Sequence, residues 1–398
     1  MLSEALQWPA ITTESRPWKM DSPRPVASRS QLRLASGDYQ AAVPPMIAES
    51  NVQLDAEVLA AADDASAELA RFDAEVGMIT APFASILLRT ESASSSEVEN
   101  LTSSAKQVAL AELDASKSGN ARLVVANVRA MNAAIDLADE IGEEAIIAMH
   151  HALLSESAPH FTGKFRDEQV WIGGGGVSPH AALFVPPHHD RVQGLMADLV
   201  KFSRRTDIPV LAHAAIAHAQ FETIHPFPDG NGRTGRALLH SMIRHGGLTR
   251  NVTVPVSAGL LQDTDAYFAA LTEYRNGTPS AIVTAVSDAV FAAINNGRQL
   301  VDELRAVAAS WEEQVPARRG STGIRLRELL LRQPVVHARL ISEELNVSAV
   351  AAQTAIDRMV AAGALVQTNN YKRNRIWHSP EVLAALDRFG ARARRRRL

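Results

Sequence analysis

The stretch His225-Pro226-Phe227-Pro228-Asp229-Gly230-Asn231-Gly232-Arg233-Thr234-Gly235-Arg236 decides how this chain is read. Upstream, Ile208 to Phe221 is alanine-rich and apolar on most sides, which predicts a buried central helix, and Pro209 suits its first turn. Downstream, Arg233 to His245 resumes a helical pattern up to Gly246-Gly247. Between them, Gly230, Gly232 and Gly235 allow backbone angles that side chains forbid. Successive amides in such a turn can form an anion nest, and the N-terminus of the following helix adds a dipole that favours phosphate. Arg233 and Arg236 are three apart, on neighbouring positions of the first turn, and each can offer a polyphosphate a fork of donors. Asp229 is a hard oxygen ligand of the kind magnesium takes alongside phosphates and waters. His225 stands at the loop entrance, where it can take a proton from an attacking hydroxyl.

Working outward, Leu54, Val58, Leu59, Ala62, Leu69 and Phe72 recur at helical spacing and predict an amphipathic helix over 51–75. Helical patterns also cover 108–137, with a soft point at Ser118-Gly119-Asn120, then 141–154, 191–202, 264–274, 279–292 and 295–311. Residues before about Ala48 read as an irregular arm. Gln169 to Val185 reads as two short extended runs around Gly173-Gly174-Gly175-Gly176, a hairpin. After a linker at 313–323, three helical patterns and two strands around Asn369-Asn370 give a winged helix-turn-helix signal.

The pattern His-x-Phe-x-Asp/Glu-Gly-Asn-Gly-Arg-x-x-Arg is that of the Fic family, and the chain resembles it at every specified position. The resemblance implies a mainly α fold: an N-terminal helical region at 1–135, a Fic core with a β-hairpin flap at 136–312, and a winged-helix tail at 324–398. It implies transfer of AMP from ATP to a Ser, Thr or Tyr hydroxyl of a target protein, with magnesium. It makes His225 the general base and Asp229 the metal ligand. The backbone around Gly230, Asn231 and Gly232 would cradle phosphates, Arg233 and Arg236 would grip the outer ones, and Thr234 and Gly235 would complete the ATP-binding turn. Phe227 would pack under the loop.

The resemblance extends upstream. Ser95-x-x-x-Glu99-Asn100 is similar to the family's inhibitory helix, and its spacing puts Ser95 and Glu99 on one helix face. It implies that Glu99 pairs with Arg236 where the terminal phosphate should sit. The hairpin at 170–185 resembles the flap that aligns a target segment by strand pairing, with Trp171 and Phe184 as anchors. Tyr267 resembles an aromatic that borders the adenine, and ordinary core packing explains it equally well. Fic-type proteins also remove AMP, which would make Glu99 catalytic. Others transfer the terminal phosphate, a reading that Arg236 and Glu99 oppose. A DNA-binding regulator with a nucleotide-sensing core is a third alternative, opposed by the intact His225.

From Ser321 onward there are 14 Lys/Arg against 6 Asp/Glu, so a chain of net charge −4 carries about +8 in this module. Lys372, Arg373 and Arg375 on the wing and the run from Arg392 to Arg397 point to phosphate-backbone contact with DNA. The second helix of the motif offers only Gln353, Thr354 and Arg358 for base reading, so protein interaction or dimerisation stays open, as does the oligomeric state. The chain has no cysteine, which excludes disulfides and thiolate zinc sites. His188-His189 lacks a third ligand in sight. Apolar residues make up 46% and aromatics 5%, an alanine-rich balance that favours helix over sheet. No segment reads as a signal peptide or approaches a membrane span, and the expected setting is cytoplasmic.

Overall fold

A computed structural model describes residues 8–18, 35, 37–78, 83–174, 178–318, 320–369 and 373–394. The fold is mainly α-helical. Among the described residues, no helix is long and apolar enough to cross a membrane. The chain divides into two compact units, each assembled from three separate stretches. The first takes 1–66, 130–246 and 265–287; the second takes 67–129, 247–264 and 288–398.

The first unit is built around α7 (Val210–Ile224), in which every residue from Leu211 to Ile224 is buried. An alanine-rich helix has a thin cylinder, so neighbours can pack on all of its faces. Helix α8 (Asn231–His245) lies against it, and two glycines permit the approach. A Cβ on Gly235 would stand 2.9 Å from Phe221 Cδ1, and one on Gly246 would stand 2.3 Å from Val210 Cγ1. Helices α5 (Glu143–Leu154), α6 (His189–Ser203) and α10 (Thr264–Arg275) complete this unit's helical shell.

The expected irregular arm is instead a two-stranded antiparallel ribbon, β1 (Thr12–Pro17) with β2 (Asp38–Val43), in register Thr12 to Val43 through Pro17 to Asp38. Strand β2 alternates, with Tyr39 and Ala41 buried and Asp38 and Gln40 exposed. The partners are about 20 residues apart, so no tight-turn signal announces the pairing. Among its described residues, the glycine-rich hairpin has one antiparallel bridge, Ile172 to Phe184. The Ile172 amide donates to the Phe184 carbonyl at 2.8 Å and the Leu183 amide donates back to Ile172 at 2.9 Å. Residues 175–177 of its turn lie outside the described residues. Pro179–Ala181 form a single 3-10 turn where the second strand was expected to begin.

In the second unit, α2 (Phe83–Val98) lies beside α9 (Val256–Leu260). Buried Glu91 accepts hydrogen bonds from the amide and hydroxyl of Ser257. The pattern read over 108–137 is interrupted at 112–118, between α3 (Ala105–Ala111) and α4 (Gly119–Asp136), so α4 starts within the soft point read at 118–120. The two patterns at 279–292 and 295–311 form one helix, α11 (Pro279–Gln314). Asn296 and Gly297 do not break it, because both pack. Asn296 Nδ2 donates to the Phe389 carbonyl at 3.1 Å, and a Cβ on Gly297 would stand 3.1 Å from the Phe72 ring.

The C-terminal segment has α12 (Thr322–Arg332), β3 (Val335–His337), α13 (Ala338–Glu344), α14 (Ala349–Ala361), β4 (Val366–Gln367), β5 (Ile376–His378) and α15 (Pro380–Ala393). The sheet is antiparallel in the order β3-β5-β4, so β3 joins the two strands read from sequence. Ser348 caps α14 by accepting from the Ala351 amide at 3.2 Å. Several of the basic and polar groups considered for DNA are engaged internally. Arg375 lies over the Trp377 ring at 5.0 Å and donates to Gln353 Oε1 at 3.2 Å, while Gln353 Nε2 donates to Asp357. Arg392 pairs with Glu303 and Arg394 with Glu97. Lys372 and Arg395 to Arg397 lie outside the described residues.

Candidate functional site

Helix α7 ends at His225, whose amide still bonds the Phe221 carbonyl at 2.9 Å but whose backbone has turned left-handed, with φ 51° and ψ 61°. A non-glycine residue there is strained, and the proline that follows further disfavours helical angles. The strain aims the chain into Pro226 and Phe227. Phe227 is fully buried; its ring stacks on His150 at 3.7 Å and packs beside Phe165 and Phe221. The loop is thus anchored by a residue that carries no reactive group.

Asn231 and His150 fix the rest of the loop. Asn231 Oδ1 accepts from the Phe227 amide at 2.9 Å, and its Nδ2 donates to the Phe227 carbonyl at 2.8 Å. His150 Nε2 lies 3.0 Å from the Asp229 carbonyl; only a ring N–H donates to that acceptor, which sets the tautomer. Gly230 has φ 77°, and a Cβ there would stand 2.9 Å from Leu153. Both constraints require glycine.

Helix α8 starts immediately after Gly230. Asn231, Arg233, Thr234 and Arg236 of its first turns are all buried, none above 3% exposed. Thr234 Oγ1 has no hydrogen-bond partner among the described residues. Asp229 behaves differently. Its side chain is 61% exposed, lies 3.8 Å from the Arg233 guanidinium, and its Oδ1 accepts from the Gly230 amide at 2.6 Å. An exposed carboxylate at a helix N-terminus fits magnesium, which takes few protein ligands beside nucleotide and water. Among the described residues there is no cluster of three or more metal-ligating side chains.

His225 is about a fifth exposed, and its Nδ1 lies 4.0 Å from Glu222 Oε2, beyond hydrogen-bond range. Burial, and after it the nearby Arg166 guanidinium, push its pKa down to about 3. The imidazole is therefore neutral at physiological pH and able to accept a proton. His218, on α7, lies 2.8 Å from the Tyr267 hydroxyl through its Nε2; burial and then Arg236 push it down to about 3. Tyr267 is 1% exposed and stacks with His218 in the core between α7 and α10.

Arg166 was not among the residues singled out from sequence. It is 3% exposed and donates to four backbone carbonyls: His225 at 2.8 Å, Glu168 at 2.9 Å, Pro187 at 2.6 Å and Ile224 at 3.4 Å. Its own amide donates to Pro226 at 2.9 Å. Burial lowers its pKa to about 10. Phe184, at the other end of the flap bridge, lies under the Arg275 guanidinium at 3.8 Å, and Trp171 packs edge-on against Trp18 at 5.6 Å.

The remaining sequence-selected residues lie in the second unit. Ser95 is fully buried in α2, one of several buried serines on that helix. Asn100 has φ 63°. The Leu101 amide bonds the Ser96 carbonyl at 3.0 Å and the Asn100 amide bonds Glu97 at 2.8 Å. This is a Schellman stop with asparagine in the left-handed position. It explains why the motif ends in Asn, and it sets Glu99 at the helix C-cap.

Known proteins agree with this geometry. The Fic/DOC family model matches residues 140–243, and the Fic/DOC family N-terminal model matches 59–136. The chain is 33% identical over 112 residues to the protein adenylyltransferase fic-1 of Caenorhabditis elegans, covering 27% of this chain and 20% of that one. It is 38% identical over 97 residues to a probable protein adenylyltransferase of Aquifex aeolicus, covering 24% of this chain and 28% of that one. The match thus spans 20% to 28% of these relatives' length. A crystal structure of a Fic family protein from Desulfovibrio desulfuricans aligns over 85% of this chain and 98% of its own, with a TM-score of 0.51 at 20% identity, which establishes a shared fold. With the motif, the loop geometry and both family models in agreement, the chain is a Fic domain protein.

Proposed function

We propose that the chain transfers AMP from ATP to a Ser, Thr or Tyr hydroxyl of a target protein, releasing pyrophosphate. The observation that carries this reading is a neutral, strained His225 beside a helix N-terminus whose first turns bury Arg233 and Arg236. The naming of the relatives as protein adenylyltransferases supports it. In this reading His225 takes the proton of the attacking hydroxyl. The oxygen then bonds the α-phosphorus in line, and the bond to pyrophosphate breaks. The first-turn amides of α8 and the two arginines offset charge on the phosphates. Magnesium held by Asp229 would supply further neutralisation across the nucleotide phosphates. The flap at 170–185 would receive the target segment, and Glu99 would hold the resting enzyme off by claiming the place of the terminal phosphate.

ATP labelled separately at the α- and γ-positions tests the reaction. The α-label should enter protein, and more of it in Glu99→Gly; His225→Ala should abolish it. Incorporation of γ-label alone, or α-label that persists in His225→Ala, would overturn the assignment. Equal labelling of wild type and Glu99→Gly would remove the inhibitory role of Glu99.

A further inference from the structure

Both ends of the flap and the candidate base meet at a single side chain. Arg166 precedes the flap. Through Glu168 it holds the segment entering the flap, through Pro187 the segment leaving it, and through the His225 and Ile224 carbonyls the end of α7. The Arg166 and Pro226 backbones are also joined directly. A second brace crosses the same root: Gln169 Nε2 donates to Val170 at 2.8 Å and to Pro186 at 3.0 Å. Its Oε1 accepts from the Tyr39 hydroxyl of the β1–β2 ribbon at 3.0 Å.

Among the described residues Arg166 donates to no carboxylate; its four side-chain acceptors are neutral backbone carbonyls. Burying a guanidinium among carbonyls is costly, so a role in stability alone would be met more cheaply by an apolar side chain of similar size. What the planar fork supplies is geometry, because several donors in fixed directions reach three chain segments at once. One of those segments is the strained His225 turn, which persists only where its surroundings over-determine it.

We infer that Arg166 is a positioning residue that fixes the flap and His225 as one rigid element, so that a target segment paired with the flap is placed in register with the base. The inference rests on the AMP-transfer reading for its catalytic consequence, but not for its structural one. Proximity is lost steeply with small displacements. A lysine in place of Arg166 keeps the charge yet cannot reach the three segments together.

The test uses the full-length chain, with Arg166→Lys made alone and in Glu99→Gly. In the Glu99→Gly background, kcat for α-label auto-incorporation should fall about a hundredfold, while KM for ATP stays within about threefold. Hydrogen exchange at the Ile172 and Leu183 amides should quicken about tenfold. Unchanged exchange, an unchanged kcat, or a change confined to KM would overturn the inference. If Glu99→Gly with Arg166 intact takes up no α-label, the AMP-transfer reading fails, and the exchange measurement still decides the role of Arg166. Should Arg166→Lys not fold, wild-type exchange decides it. The amides of Arg166, Ile172, Leu183 and His225 should open in one cooperative event, and independent openings of flap and His225 would overturn the inference.

Discussion

Asn231 holds the backbone of Phe227 at both of its polar atoms, accepting from the amide at 2.9 Å and donating to the carbonyl at 2.8 Å. The side chain within the turn thereby substitutes for a strand partner that a buried loop lacks. Asn231→Ala leaves a buried N–H and C=O unpaired and should cost about 2–3 kcal/mol. Asn231→Asp keeps the acceptor but sets a buried carboxylate oxygen against the Phe227 carbonyl, and should cost at least as much. Denaturant unfolding at neutral pH measures both, and equal stability of Asn231→Ala and wild type would contradict this account of the loop.

Gly235 lies where α7 and α8 touch. A Cβ there would stand 2.8 Å from Glu222 Oε1, 2.9 Å from Phe221 Cδ1 and 3.2 Å from His218 Nδ1. Glu222 can shift, whereas the buried Phe221 ring cannot do so without moving Phe227. Gly235→Ala should therefore destabilise by about 1–3 kcal/mol, against the small gain that alanine brings an ordinary helix position. Thermal unfolding gives the sign directly: a rise in Tm would mean that the two helices are free to separate.

Three desolvated imidazoles make the fold sensitive to acid. His150 is pushed down to about 4, and His218 and His225 to about 3, all chiefly by burial. Each has a lowered folded pKa, so below the ordinary value of 6.5 the unfolded chain binds protons that the folded chain refuses. Stability is thus complete above pH 6.5 and lost as pH falls through 5 and 4, at up to about 1.4 kcal/mol per pH unit for each histidine. Unfolding midpoints from pH 8 to 4 should show this decline, with His150→Phe flattening it.

The same depressed value predicts the shape of the rate profile. A base already neutral at pH 5 gives no acidic limb near 6.5, so α-labelling measured on still-folded protein should stay level from pH 7.5 to 5.5. A limb centred near 6.5 would place the titrating group in water rather than in the pocket that holds His225.

Asn100 stops α2 in a left-handed turn. Asn100→Gly keeps that stop and should leave stability and labelling nearly as they are. Asn100→Val places a branched residue at φ 63° and should cost about 1–2 kcal/mol. If Glu99 acts as the inhibitory group, this displacement should also raise α-labelling. Labelling that rises equally in Asn100→Gly would detach the effect from backbone geometry.

The loop and its two helices were legible because their signals are local. Gly230 and Gly235 sit where positive φ or close approach is needed, and the alanine-rich pattern of 208–221 announces a helix with no exposed face. The pairing of β1 with β2 was not legible, since it joins segments too far apart for turn chemistry to record. The separation of 279–292 from 295–311 fails for the opposite reason, because Asn296 and Gly297, weak helix formers on their own, are held within α11 by Phe389 and Phe72. Arg166 was missed because its partners are carbonyls, which every residue possesses. His150 left a fainter trace, a polar side chain on the apolar face of its helix.

The chain passes between its two compact units after residues 66, 129, 246, 264 and 287, and three of those points fall inside α1 (Ala56–Gly77), α4 and α11. No choice of one start and one stop codon excises the unit that carries the motif. A cut at Ser287 would halve a 36-residue helix, and one at Arg129 would leave two stubs of α4, each shorter than a stable isolated helix. Truncated versions made to isolate the candidate site should therefore come out of cells as aggregates or proteolytic fragments. Single substitutions in the whole chain are the practical way to take this protein apart.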